Sequence, residues 1–171
     1  MADDQDQRDR KYREAAAEFG AALVRLARAY EADAELRRDL LQDIHFEVWR
    51  SLSGFGGQCS LRTWVYRVAH NVGISRRVRK RKPRLVSLEE IADLPAPDAD
   101  ELASDEIGNV ARLRMLIRQL IPPDDQVMLL YLEDLDAAAI GEITGLSARA
   151  VATRVHRIKA ILTRQFGVRR D

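Results

Sequence analysis

A single cysteine, Cys59, in 171 residues excludes an internal disulfide and any cysteine-built metal cluster. That usage suits a reducing cytoplasm, and Cys59 itself is expected to be inert. Long apolar runs are equally scarce. The longest, Val127 to Leu132, is far too short to cross a bilayer. The opening Met1-Ala2-Asp3-Asp4-Gln5-Asp6-Gln7 lacks the basic and apolar character of a signal peptide, so a cytoplasmic protein without membrane insertion is expected. Strand-like alternation is missing too, which points to an all-α chain. Histidines number three, His45, His70 and His156. They fall far apart on predicted helices with no carboxylate cluster or glycine-rich phosphate loop beside them, so no catalytic site, metal or cofactor is expected.

Net charge is nearly absent as well, at +1, but the balance conceals segregation. From Arg62 to Arg84 there are nine Lys or Arg and no acid; residues 85–107 hold eight acids and no base; residues 147–170 hold seven bases and no acid. Basic blocks of this kind are either solvated faces or surfaces that neutralise phosphate.

Residues 1–11 are polar and expected to be disordered. Beyond them Phe19, Leu23, Leu26, Ala27 and Tyr30 trace an amphipathic helix. A second helix spans about 34–52, with Leu41, Ile44, Val48 and Leu52 toward a core. Asp39, Gln42, Asp43, Phe46 and Arg50 map to another face, where Phe46 either meets a partner or packs on the first helix. Three glycines within residues 53–59 break helicity. Ser60 can then cap a helix whose apolar stripe is Leu61, Trp64, Val65, Val68 and Val72. Thr63, Tyr66, Arg67, His70 and Arg77 fall opposite, leading into the basic tail Arg76 to Lys82. Tyr66 and Trp64 among these charges favour nucleic acid over plain solvation.

Pro95, Pro97 and the acids Asp98, Asp100, Glu101, Asp105 and Glu106 mark residues 83–107 as an interdomain linker that cannot order itself. Ile107, Val110, Leu113 or Arg114, Ile117 and Leu120 then form a helical stripe ended by Pro122-Pro123, and Asp124 or Asp125 caps the next helix. Asp136 caps a short helix to Thr144, and Gly145-Leu146-Ser147 turns the chain into a longer helix reaching about Arg164. This is helix-turn-helix spacing. Ile140, Ile143, Leu146, Val151, Val155, Ile158 and Leu162 supply its core, and Gly141 lets the helices approach. Arg149, Thr153 and His156 face away, flanked by Arg154, Arg157 and Lys159, as a groove-reading surface with phosphate-holding edges.

Taken together, residues 12–82 and 108–166 resemble bacterial RNA polymerase sigma factors of the two-domain extracytoplasmic-function group. Asp39-Leu40-Leu41-Gln42-Asp43 followed by Glu47-Val48-Trp49-Arg50 is similar to the family's segment that binds the polymerase largest subunit. The resemblance thus assigns core-polymerase contact to Asp39, Gln42, Asp43, Phe46 and Arg50. Phe55 to Asn71 is similar to the promoter-melting and minus-ten-reading segment. It implies DNA contact by Phe55, Gln58, Ser60, Arg62, Thr63, Tyr66, Arg67, His70, Asn71, Arg76 and Arg77, with a flipped base captured by the loop at 54–60. Leu120-Ile121-Pro122-Pro123, Gln126 and the Gly145-Leu146-Ser147 turn resemble the minus-thirty-five-reading domain, 108–171. There Ser147, Arg149, Ala150, Thr153, Arg154, His156, Arg157 and Lys159 would meet DNA. Gly56-Gly57-Gln58-Cys59 and Ala137-Ala138-Ala139 depart from the family's usual residues, so neither the captured base nor the promoter sequence follows.

The implied protein is a non-enzymatic specificity subunit. Its expected partners are core RNA polymerase, promoter DNA and an anti-sigma factor, with no stable homo-oligomer. A free-standing helix-turn-helix regulator is the alternative. It would need a sensing or dimerising domain at residues 12–82, and no pocket-like signature stands there.

Overall fold

Apolar side chains at helical spacing decide the architecture, and the computed structural model, which describes residues 2–79, 84–95 and 106–166, is all-α. The chain divides into two units, Met1–Lys82 and Pro83–Asp171. Among the residues expected to carry function, Lys80, Arg81 and Lys82 of the basic tail and the acids at 98–105 lie outside the described residues.

The first unit contains α1 (Ala2–Tyr30), α2 (Ala34–Ser51), a 3-10 turn (Leu52–Gly54) and α3 (Leu61–Arg79). On α1, Ala15, Phe19, Ala22, Leu23, Leu26, Ala27 and Tyr30 are buried, each three or four residues from the next or beside it, which is one helical face. Asp33 starts α2 by accepting from the backbone N–H of Glu35 and Leu36, both at 2.9 Å, which satisfies donors that a helix end leaves open. The buried stripe of α2 is Leu40, Ile44, Val48 and then Leu52. Leu41, expected in that stripe, is half-buried; the four-residue ridge through Leu40 wins because it continues unbroken into Leu52.

Helix α3 packs against both α1 and α2, so two of its faces are covered. This corrects the expected placement of Thr63, Tyr66 and His70 on a solvent face: all three are buried, Tyr66 at 2% and His70 at 4% exposure. Val65 and Ala69 are buried with them, while Leu61, Trp64, Val68 and Val72 are half-buried on the flank. Tyr30 Oη lies 2.5 Å from His70 Nδ1, pairing two polar groups that would be costly to bury alone. Gly73 sits under the same ring, where an added Cβ would come within 2.7 Å of Tyr30.

The expected disorder of residues 1–11 is a second correction, since α1 is helical from Ala2. Its early turns have partners on α2. Trp49 Nε1 donates to Asp9 Oδ1 at 2.7 Å, the Arg8 guanidinium lies 4.0 Å from the Trp49 ring centroid, and Tyr12 Oη is 3.0 Å from His45 Nδ1. Polar composition misled here because these contacts are made by polar and aromatic groups, not by an apolar stripe.

The second unit contains α4 (Leu88–Ala92), α5 (Glu106–Gln119), α6 (Asp124–Tyr131), α7 (Ala137–Thr144) and α8 (Ala148–Phe166). Helix α4 lies inside the stretch expected to be an unstructured linker. Ser87 and Glu90 form a reciprocal capping box at its start. Leu88 and Ile91 are buried, and Val86 bridges to Leu120. Residues 86–94 are ordered among the acids because α4 packs against α8 and Val86 pairs with the backbone at Gln119 and Ile121. Conversely, the expected stripe on α5 is buried only at Ile117 and at Leu120 just beyond it, whereas Ile107 is 86% exposed and Val110 is exposed too.

The helix-turn-helix rests on the predicted caps. Asp136 accepts from Ala139 N at 2.8 Å, Gly145 takes the left-handed conformation with φ 80°, and Ser147 Oγ accepts from Ala150 N at 3.1 Å. An added Cβ at Gly141 would meet the Leu146 carbonyl oxygen at 2.6 Å, so only glycine permits this crossing. Ile140, Ile143, Val151, Ile158 and Leu162 are buried as expected. Leu146 and Val155 are half-buried because they sit at the edge of the α7–α8 contact.

Candidate nucleic-acid and partner interfaces

On α2, the residues left over after Leu40, Ile44 and Val48 turn inward are Asp39, Gln42, Asp43, Phe46 and Arg50, and all five are exposed. Phe46 is 55% exposed and its ring stands 6.1 Å from Trp49. With more than half of its surface in solvent it is not a core side chain, which leaves it open to a partner. Beside it runs a groove lined by Asp43, Phe46, Glu47, Val68, Asn71 and Arg76, among others. An exposed aromatic at the lip of such a groove is the usual form of an interface anchor.

Arg76 connects this face with α3. Its guanidinium donates to Asp43 Oδ2 at 2.8 Å and approaches Asp39 Oδ2 at 3.7 Å. A residue expected to contact DNA is therefore engaged with two carboxylates expected to contact polymerase. Arg50 pairs at 2.7 Å with Glu47 one turn back.

Ser60 caps α3 by accepting from Thr63 N at 3.0 Å, and its hydroxyl lies 2.9 Å from Thr63 Oγ1. Ahead of it, Gly57 has φ 79°, and the Gln58 side chain folds back so that Oε1 accepts from Gly56 N at 3.1 Å. Phe55 is half-buried, its ring tilted 53° to that of Trp64 at 5.4 Å, whose indole N–H donates to Ser51 Oγ at 3.1 Å. Gln58, Ser60, Arg62 and Asn71 are exposed, and Arg67 and Arg77 are half-buried. The Arg62 guanidinium lies 5.6 Å from the Tyr66 ring centroid, covering the buried tyrosine from the solvent side. Of the residues expected to touch the opened strand, the surface thus retains the loop polar groups, the arginines and Asn71. Thr63, Tyr66 and His70 instead lock α3 in place.

On α8, Ser147, Arg149, Thr153, His156, Arg157 and Lys159 are exposed, with Ala150 and Arg154 half-buried. Thr153 Oγ1 donates back to the Arg149 carbonyl at 3.0 Å. The flanking cations have partners that sequence reasoning missed. Arg154 donates to Asp124 Oδ1 at 2.7 Å, Lys159 donates to Tyr131 Oη at 3.1 Å, and Arg157 pairs with Glu89 of α4. The signal for Asp124 lay in its position as an α6 first-turn acid; nothing local signalled Glu89, which is 68 residues away.

Burial pushes the His45 imidazole below its ordinary value. The Ser87 backbone N–H, with its hydroxyl next in weight, holds the Glu90 carboxyl below the usual range. Among the described residues, no group of His, Cys, Asp or Glu is placed to hold a metal ion, and no helix is long and apolar enough to cross a membrane.

Residues 16–84 match the family model described as sigma-70 region 2, and residues 111–162 match that described as sigma-70, region 4. The ECF RNA polymerase sigma factor SigW of Bacillus subtilis (strain 168) is 28% identical over 144 residues, covering 75% of this chain and 74% of that protein. The RNA polymerase sigma factor YlaC of the same organism is 26% identical over 141 residues, covering 80% and 81%. The ECF RNA polymerase sigma factor SigG of Mycobacterium tuberculosis (strain ATCC 25618 / H37Rv) is 28% identical over 163 residues, but the match spans 44% of its length. Among solved structures, CnrH in complex with the cytosolic domain of CnrY shares the fold, with TM-score 0.67 at 21% identity over 95% of this chain and 91% of that one.

Proposed function

The chain belongs to the sigma-70 family, in its extracytoplasmic-function group, and from that premise we propose how its two units divide the work of starting transcription. A sigma factor brings core RNA polymerase to promoter DNA and helps open it. The observation that carries this reading is the presence of both family regions in one chain, residues 16–84 and 111–162. Region 2 stands at residues 16–84, where the free-standing regulator would need its sensing or dimerising domain.

The exposed α2 face is the polymerase-binding surface, with Phe46 as its apolar anchor and Asp39, Gln42, Asp43 and Arg50 around it. Arg76 belongs to this surface through its carboxylate partners and holds them in register. The loop at 54–60 with Arg62, Arg67, Asn71 and Arg77 engages the minus-ten element. Its glycines let backbone approach an extruded base, and the α3 cations hold the separated strand. On α8, Arg149, Thr153 and His156 read the minus-thirty-five element, while Arg154, Arg157 and Lys159 hold phosphates. The protein performs no reaction itself; the polymerase supplies the chemistry. It acts where the polymerase is, inside the cell. An anti-sigma factor is the regulator this reading implies, in keeping with the CnrY complex of the structural relative.

Titration of core polymerase with the full chain tests the first surface. Phe46→Ala should weaken association by about 1–3 kcal/mol with unchanged helical content, because the side chain is 55% exposed. Wild-type affinity in that variant would remove Phe46 and its neighbours from the interface.

A further inference from the structure

Helix α4 is docked on α8 by more than its two buried apolar side chains. Gln165, at 5% exposure, donates through Nε2 to the carbonyls of Ile91 at 2.9 Å and Leu94 at 2.8 Å, and Arg164 donates to the carbonyl of Ala92. These bonds fix the short helix at one position on the longer one. They also fix where its acids stand. Glu90 turns back on its own helix, accepting from Ser87 N at 2.8 Å. Glu89 reaches across and bonds the guanidinium of Arg157.

Arg157 follows Thr153 by one turn of α8, at the edge of the exposed strip from Arg149 to His156. A phosphate gripped from that edge would take the same guanidinium N–H that Glu89 now occupies. One donor cannot serve both acceptors in full, so carboxylate and phosphate compete. Resting on the assignment of α8 to DNA, we infer that Glu89 is a positioning residue that withholds Arg157 from phosphate in the free protein. The acidic segment before region 4 thereby lowers the sequence-independent affinity of the recognition helix. The pair is suited to exchange because both side chains are largely solvated, at 54% and 65% exposure; such pairs are weak and reversible. The Arg154–Asp124 pair is less exposed, at 37% and 16%, and holds Arg154 more firmly to α6.

The test uses the full chain and a short random-sequence DNA duplex, titrated over a salt series. Glu89→Gln should tighten binding about two- to fivefold, the range of an exposed ion pair, and steepen the salt dependence by about one counterion. Glu90→Gln removes the same charge one residue away and should do neither. In an Arg157→Ala background, Glu89→Gln should have no effect. Equal tightening by Glu89→Gln and Glu90→Gln, or tightening that survives Arg157→Ala, would reduce the effect to general charge and overturn the inference. If Arg157→Ala weakens Glu89→Gln but Glu89→Gln binds no tighter than wild type, the inference fails while the DNA role of α8 stands. If Arg157→Ala changes nothing in either background, Arg157 is no phosphate contact, and the assignment beneath the inference fails with it.

Discussion

A methyl group added at Gly73 would lie 2.7 Å from the ring of Tyr30, the residue that also meets His70 across the α1–α3 contact. In an open helix, Gly→Ala gains up to about 1 kcal/mol of helix propensity. Here the clash is with a buried ring that cannot swing away, and overpacking of this kind costs about 1–3 kcal/mol. Gly73→Ala should therefore lower the thermal midpoint of the first unit; a raised midpoint would mean that the ring yields freely. The same residues show what the sequence could not disclose. Thr63, Tyr66 and His70 share a helix with five arginines, Arg62, Arg67, Arg76, Arg77 and Arg79, and charge density made their face read as solvent. Burial of Tyr66 depends on α1 crossing above it, and Tyr30 lies 36 residues earlier in the chain. By contrast, Ser60, Asp136, Gly141 and Gly145 were legible, because caps and close approaches are dictated within a few residues.

At the scale of elements, the least legible pieces were the first turns of α1 and the helix α4. The first are poor in apolar residues and the second is five residues long among acids, and both are held by partners far along the chain: His45 and Trp49 for α1, Arg157 and Gln165 for α4. The α1 contact has a pH dependence of definite sign. Burial depresses the His45 pKa in the folded chain, so the folded state binds fewer protons than the unfolded one near this value. The stabilisation is complete above the ordinary imidazole value of about 6.5 and is lost as pH falls through the lower, folded-state value. Amide-exchange protection factors for residues 5–12 should thus decline on acidification below about pH 6.5, and His45→Gln should remove that part of the decline. Protection that falls identically in His45→Gln would assign the effect to carboxylates.

Across the whole molecule, the clearest message in the sequence was segregation: a basic first-unit helix, an acidic connector and a basic last helix. Helical periodicity and charge together gave the all-α class and the two basic faces. They did not reveal that Arg76, Arg154 and Arg157 are each held by an acid, because charge counted along a chain carries no information about pairing across it. The consequence is that the two basic helices are partly neutralised from within, while Arg149 and His156 stay exposed. On the proposed reading, such a subunit relies on core polymerase to bring both units onto a promoter together. Transcription in vitro from fragmented genomic DNA, by core polymerase with and without the full chain, tests this most directly. The account predicts start sites that require the chain and share two upstream elements, with permanganate-reactive thymines at the start-proximal one. Absence of chain-dependent initiation, with binding to duplex DNA retained, would contradict it.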